Sequence, residues 1–287
     1  MILITGGTGT SGREIVEAVA RAGRPFRVTA RDVARAEPLK KLGAEVVRGD
    51  FTDAASLERA MAGVERVFLN SGPTEDLVDL QGNVIDAARR AGVRHVVKLS
   101  VFGADLPGAP GVRFLRQHVE VERRLRDSGL AWTMLRPTFF MQNLLGSAGT
   151  IRQAGAIFMP AADGRAPYID TRDIADVAAA TLTQPGHEGR AYELTGPEDL
   201  SFHDMARAIG AATGRDVKYV PVSDDQARPS LLASGIPAWN VEGMLELMRA
   251  TREGWMAGVT REVERLTGRP ARTFAAFARE HAAAFAA

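Results

Sequence analysis

The chain has 287 residues, 45% apolar and 25% charged, which is enough for one large domain or a core with a smaller lobe. The 36 basic residues against 35 acidic ones leave a net charge of +1, so there is no whole-chain polyanion-binding footprint and nucleic acid is not an expected partner. Cysteine is absent, which removes disulfides, thiol nucleophiles and thiolate metal sites and makes the cytoplasm the expected location. The chain enters a strand at residue 2 with no basic segment before it, so no signal peptide is expected. No apolar run approaches membrane-spanning length, so no membrane partner is expected either.

Ile2, Leu3 and Ile4 form an apolar run short enough for a buried strand, which stops at Gly6 and Gly7. Glycines recur at Gly9 and Gly12, and Arg13 to Ala22 then reads as a helix with Ile15, Val16, Val19 and Ala20 on one face. The glycines fit both Gly-x-Gly-x-x-Gly and Gly-x-x-Gly-x-x-Gly. A strand, a glycine turn and a helix in that order give the motif its meaning. Side chains at the turn would keep the backbone from a pyrophosphate, and one at Gly12 would hold the helix off the strand. The helix N-terminus then offers N–H groups and partial positive charge to phosphate, so Gly6, Gly7, Thr8, Gly9, Thr10, Ser11 and Gly12 are expected cofactor ligands.

Strands follow at 26–31, 44–50, 66–71 and 95–100, separated by helices at 34–42, 55–62 and 74–91. Gly23, Gly43, Gly63 and Gly92 each fall just past a helix end, where left-handed caps are expected. A loop from Gly103 to Gly111 leads to a helix over 112–128 and a strand over 132–136 that Pro137 breaks. Beyond it come a helix over 172–183, a strand over 190–195, helices at 201–213, 223–233 and 241–251, a short strand at 217–220, and a C-terminal helix over 271–286. Strands separated by helices need crossover connections. The fold class is therefore α/β, a doubly wound parallel sheet of the Rossmann type with a smaller mixed C-terminal substrate lobe. Residues 1–150 are expected to form the nucleotide-binding core and 151–287 the lobe, with some return to the core.

Ligands of such sheets sit at the carboxyl ends of the strands. An acidic residue after the second strand binds the ribose 2′-OH of NAD, whereas arginine accommodates the 2′-phosphate of NADP. Here Arg31 ends the strand and Arg35 lies one helical turn on, so NADP(H) is expected over NAD(H), while Asp32 is free to cap the next helix. Asp50 and Phe51 end the third strand, where a carboxylate and a ring suit adenine; capping by Asp50 or Asp53, with Phe51 in the core, is the alternative. Asn70, Ser71 and Gly72 end the fourth strand, as a close backbone approach to a ribose requires. Pro137 closes the set of cofactor candidates.

Thr5 to Gly12, Gly49-Asp50, Asn70-Ser71-Gly72-Pro73, His118-x-x-Val121-Glu122, Ser128-Gly129-Leu130 and Leu135 to Phe140 together resemble the NmrA-like atypical short-chain dehydrogenases. Tyr168 to Ala175 and Leu266 to Pro270 fit the same group, so the resemblance spans nearly the whole chain. It implies NADPH-dependent reductases of quinones, azo dyes and triphenylmethanes, or members that bind the dinucleotide as redox sensors without turning it over. Ordinary short-chain dehydrogenases use a Tyr-x-x-x-Lys pair. Four residues after Tyr168, Tyr192 and Tyr219 come Arg172, Gly196 and Ser223, so no such pair exists. Phe114 and His118 occupy the matching helix, and Ser100 ends the fifth strand where the family places a serine.

Hydride delivery to a ketone builds an alkoxide that needs a positioned acid; a quinone, an extended enone or a delocalised cation spreads the charge. The expectation is therefore an NADPH-dependent reductase of a conjugated or aromatic acceptor, the alternative being a non-catalytic redox sensor. His118, whose imidazole ordinarily titrates near neutral pH, is the candidate acid, with Ser100 bonding substrate or nicotinamide. Phe114, Phe139, Phe140 and Trp239, with Met141, are candidates for an aromatic-friendly pocket. The five histidines are scattered and no metal site is expected. A small conjugated molecule is the expected partner, and a homodimer the candidate assembly.

Overall fold

A computed structural model describes residues 1–107 and 109–286; Gly108, in the expected loop, and the terminal Ala287 lie outside the described residues. The first half alternates as the glycine punctuation predicts: β1 (Ile2–Ile4), α1 (Thr10–Arg21), β2 (Phe26–Ala30), α2 (Val33–Ala36), β3 (Glu45–Arg48), α3 (Ala54–Met61), β4 (Arg66–Leu69), α4 (Leu77–Arg90) and β5 (His95–Leu99). Then come α5 (Arg113–Asp127), β6 (Ala131–Pro137), α6 (Ala148–Ala154), β7 (Ala156–Met159), α7 (Thr171–Thr183) and β8 (Arg190–Leu194). The chain closes with α8 (Phe202–Thr213), β9 (Lys218–Pro221), α9 (Asp224–Ala233), α10 (Ala238–Arg252), α11 (Glu262–Thr267), α12 (Phe274–Glu280) and α13 (Ala282–Phe285).

Among the described residues a seven-stranded sheet runs in the order β3-β2-β1-β4-β5-β6-β8, and β7 pairs with β9 in a separate ribbon. The pairings of β1 with β2 and β4, β2 with β3, β4 with β5 and β5 with β6 are all parallel. The order reverses between β1 and β4, and that switch point opens a crevice beyond the strand ends. One face of the sheet is covered by α3, α4 and α5 through Leu3, Met61, Leu69, Ile85 and Leu125. On α1 the stripe Ile15, Val16 and Val19 is fully buried, and α1 packs against α7.

Two sequence expectations differ, and one strand was not foreseen. The helix expected over 34–42 is α2 followed by a 3₁₀ stretch, Glu37–Leu42. Pro38 has no N–H to donate and its ring crowds the preceding turn, so a continuous α-helix is not available there. The helix expected over 271–286 starts only at α12, where the Thr273 side chain accepts from Ala276 N at 3.2 Å, and it breaks at His281. The four-residue β7 was hidden by its brevity; it buries Ala156 and Ile157 but exposes Phe158.

The chain divides into two compact units. Unit 1 comprises residues 1–104, 116–136 and 171–193, and unit 2 comprises 105–115, 137–170 and 194–287. The division is discontinuous because α7 returns to α1 and most of β8 to the sheet. Among the described residues no helix is long and apolar enough to cross a membrane.

Candidate functional site

The glycine turn lies in unit 1, between β1 and α1. Gly6 has φ +65°, and a Cβ there would stand 2.8 Å from the Asn70 carbonyl oxygen. A Cβ on Gly12 would stand 1.9 Å from the Gly6 carbonyl, so only glycine lets the helix begin against the turn. Thr5 locks the approach: its hydroxyl donates to the Asn70 carbonyl at 2.8 Å and accepts the Asn70 N–H at 2.8 Å. At Gly9 a Cβ would meet one atom, at an ordinary 3.5 Å. Packing therefore does not demand glycine at that position, and what the missing side chain leaves clear is an exposed cradle. Gly9 caps α1 without a side-chain bond, no acidic residue lies in the first turn, and Thr8 and Thr10 are exposed while Ser11 is buried. An uncapped, carboxylate-free helix start beneath an open turn fits a pyrophosphate.

At the end of β2 the carboxylate is committed and the arginines are not. Asp32 Oδ1 accepts from Ala34 N at 3.0 Å and caps α2. Arg31 and Arg35 are exposed and make no hydrogen bond or ion pair within the described residues, in a chain where most arginines are paired. After β3, Asp50 accepts from the Thr52 N–H at 2.9 Å and from its hydroxyl at 2.7 Å, so it closes a turn, and Asp53 is the cap of α3. Those Thr52 bonds, helped by Arg31 and Arg48 against a small burial cost, hold the Asp50 carboxyl below its usual range. Phe51 is partly buried and packs against the core cluster that α4 contributes to. After β4, Asn70 is buried beside Gly6, Ser71 accepts from Gln81 Nε2 at 2.9 Å, and Gly72 faces open space.

Behind β5 and β6 lies a group of buried ionic side chains, again within unit 1. Ser100 Oγ donates to Glu122 Oε1 at 2.6 Å, and Arg136 grips the same carboxylate from Nε at 2.9 Å and Nη2 at 2.6 Å. Arg126 adds a bond at 2.9 Å, and Arg136 reaches Glu193 at 3.1 Å. Burial pushes the Glu122 carboxyl up, but hydrogen bonds from Arg136 and Ser100 and the charges of Arg136 and Lys98 outweigh it, so it stays ionised. Ser100 has thus given its one proton inward and can only accept from a ligand.

Lys98 Nζ lies 2.8 Å from His118 Nδ1. Burial and the Lys98 charge push the His118 imidazole well below its ordinary pKa. The expectation that this ring titrates near neutral pH is therefore corrected: it is neutral there. Lys98, Glu122, Arg136 and Thr5 were not singled out as site residues from the sequence. The available signal was a lysine, one of only four, in the middle of the apolar strand His95-Val96-Val97-Lys98-Leu99.

The aromatic candidates fall in unit 2. Phe114 meets Trp239 edge-on at 5.3 Å and Arg113 lies over the Trp239 ring at 5.5 Å, while Phe139 stacks on Tyr168 at 5.4 Å. Phe140 bridges to Ile169 and Pro137 is buried. No tyrosine is placed as a free acid. Burial raises the Tyr168 phenol, Tyr219 donates to the Met159 carbonyl at 2.8 Å, and Tyr192 shares a 2.9 Å bond with His187. Among the described residues no cluster of histidines and carboxylates suits a metal.

Residues 1–267 match the model of the NmrA-like family. The chain is 43% identical to an NAD(P)H azoreductase from Xenophilus azovorans, over all of both chains. It is 42% identical to a (4-alkanoyl-5-oxo-2,5-dihydrofuran-3-yl)methyl phosphate reductase from Streptomyces griseus, covering 100% of this chain and 99% of the other. An NADPH-dependent quinone oxidoreductase from Escherichia coli, solved with NADPH, superposes with a TM-score of 0.89 at 28% identity, covering 98% of this chain and 99% of that one. By family match, length and fold, the chain belongs to the NmrA-like family.

Proposed function

We propose that this protein is an NADPH-dependent reductase of conjugated or aromatic acceptors such as quinones and azo compounds. The observation that carries the reading is the pairing of full-length identity to two named reductases with an open cradle and two uncommitted arginines in this chain itself. When bound, the dinucleotide supplies the hydride. The turn at Gly6–Gly12 and the start of α1 would hold its pyrophosphate, and Arg31 and Arg35 its 2′-phosphate. Ser100, with its proton given to Glu122, would accept from an amide N–H of the nicotinamide or from the substrate. Because Tyr192 and Tyr219 are bonded elsewhere and burial raises the Tyr168 phenol, acceptors that delocalise charge suit the site better than simple ketones. A cytoplasmic location and a homodimer belong to the same proposal.

The test is to titrate the protein with NADPH and then follow nicotinamide absorbance with a panel of quinones, azo dyes, enones and plain ketones. Turnover of conjugated acceptors with little or none of ketones is expected. Tight binding with no turnover across the panel would replace this reading with a redox sensor.

A further inference from the structure

Lys98 is fully buried in β5, yet among the described residues no carboxylate bonds its ammonium. Its partners are the Leu99 carbonyl at 3.1 Å and His118 Nδ1 at 2.8 Å, both uncharged groups. A buried cation held only by neutral partners is costly, and an apolar side chain would fill a central strand at no such cost. The arrangement also fixes a tautomer. An ammonium has no lone pair, so Nδ1 accepts and the proton of the neutral ring sits on Nε2. Within the described residues Nε2 has no partner of its own.

Resting on the reductase reading, we propose that Lys98 and His118 form a proton relay in which His118 delivers a proton from Nε2 to the reduced acceptor while Lys98, a positioning residue, replaces it at Nδ1. As the Nε2–H bond breaks and the bond from hydrogen to the acceptor forms, an Nζ–H bond breaks and an Nδ1–H bond forms. The ring remains neutral and Lys98 ends as an amine. Water resets the pair by protonating Nε2 as the Nδ1 proton returns to Nζ, so the net proton comes from solvent. The relay explains how an imidazole too hard to protonate can still act as an acid. Alone, it would have to leave as an imidazolate; with Lys98 behind it, it never carries net charge.

The surrounding charges tune the pair. Burial lowers the Lys98 ammonium, Glu122 of α5 raises it and Arg136 of β6 lowers it, which brings it to about 7. His118 is the remaining titratable partner, and the charge it faces is Lys98. The competent form has Lys98 protonated, so delivery should fade as pH rises through about 7.

Nitrogen NMR of the cofactor-free protein tests the pair without turnover. The expected result is a neutral Nε2–H tautomer for His118 near neutral pH, lost or mixed in Lys98→Met, with the Lys98 side chain titrating near 7. In turnover, kcat should fall on the alkaline side in the wild type. Lys98→Met should lower kcat by roughly tenfold to a hundredfold and flatten that limb, with the NADPH affinity within about twofold. Lys98→Arg, a cation that does not give up its proton, should keep the tautomer and the fold but leave kcat low. An Nδ1–H or imidazolium ring in the wild type, or an unchanged pH profile in Lys98→Met, would overturn the relay while leaving the reductase reading intact. A correct tautomer with no wild-type turnover of any acceptor would overturn the reductase reading and the relay with it.

Discussion

The glycine turn and the ionic group behind β5 and β6 share one unit and are built on opposite principles. The turn spends no charge: its working groups are backbone N–H groups that the protein leaves unbonded at the uncapped start of α1. The ionic group commits nearly all its charge internally, through Ser100, Glu122, Arg126, Arg136 and Glu193, while among the described residues His118 Nε2 has no partner. The lesson is that free valence marks function in both. A site that receives a diffusing phosphate keeps several donors unsatisfied, whereas the ionic group pairs its charges chiefly with one another.

The sharpest way to break the comparison is to take the centre out of the ionic group. Glu122→Ala leaves Arg136 and Arg126 without their shared carboxylate and Ser100 without its acceptor. Removing one partner from a buried ion pair typically costs about 3–5 kcal/mol, and urea denaturation should show a loss of that size. A change below about 1 kcal/mol would mean that water already solvates these groups and that they do not act as a unit.

The turn should respond differently at its two glycines. Gly12→Ala drives a Cβ into the Gly6 carbonyl, so the start of α1 must move, lowering both stability and NADPH affinity, the latter by roughly a hundredfold (about 2.7 kcal/mol). Gly9→Ala meets only an ordinary contact, so denaturation should be nearly unchanged while calorimetry shows weakened NADPH binding. Equal loss of stability in both variants would show that Gly9 serves packing and not the cradle.

How much of this was legible follows from how far apart the responsible residues lie. The turn was legible because its steric demands fall within Gly6–Gly12, and the sheet because its strands are short apolar runs alternating with helices that glycines close. Pro38 sits in plain view, yet the helical pattern through Leu42 hid the 3₁₀ stretch it causes. The ionic group was not legible: Lys98, Ser100, His118, Glu122, Arg136 and Glu193 span 96 positions and meet only when β5, α5, β6 and β8 assemble. Sequence could name Ser100 and His118, but not that one hydroxyl proton points inward or that the imidazole is held neutral. Both facts are set by neighbours brought in by the fold.

The smallest effect should come from the arginines, where solvent screens the charge. Arg31 and Arg35 are exposed and make no hydrogen bond or ion pair among the described residues, so replacing Arg31 by alanine should leave the denaturation midpoint where it is. What it removes is one side of a phosphate grip, which points to a loss of roughly tenfold in NADPH affinity (about 1.4 kcal/mol), with NADH affinity little changed. The difference between the two cofactors should shrink as salt is raised, since an exposed ion pair is screened within a Debye length. Equal weakening of NADH and NADPH would place Arg31 on the shared part of the dinucleotide. The preference for NADPH would then have to come from Arg35 alone, which the double variant would reveal by losing no more discrimination than Arg35→Ala by itself.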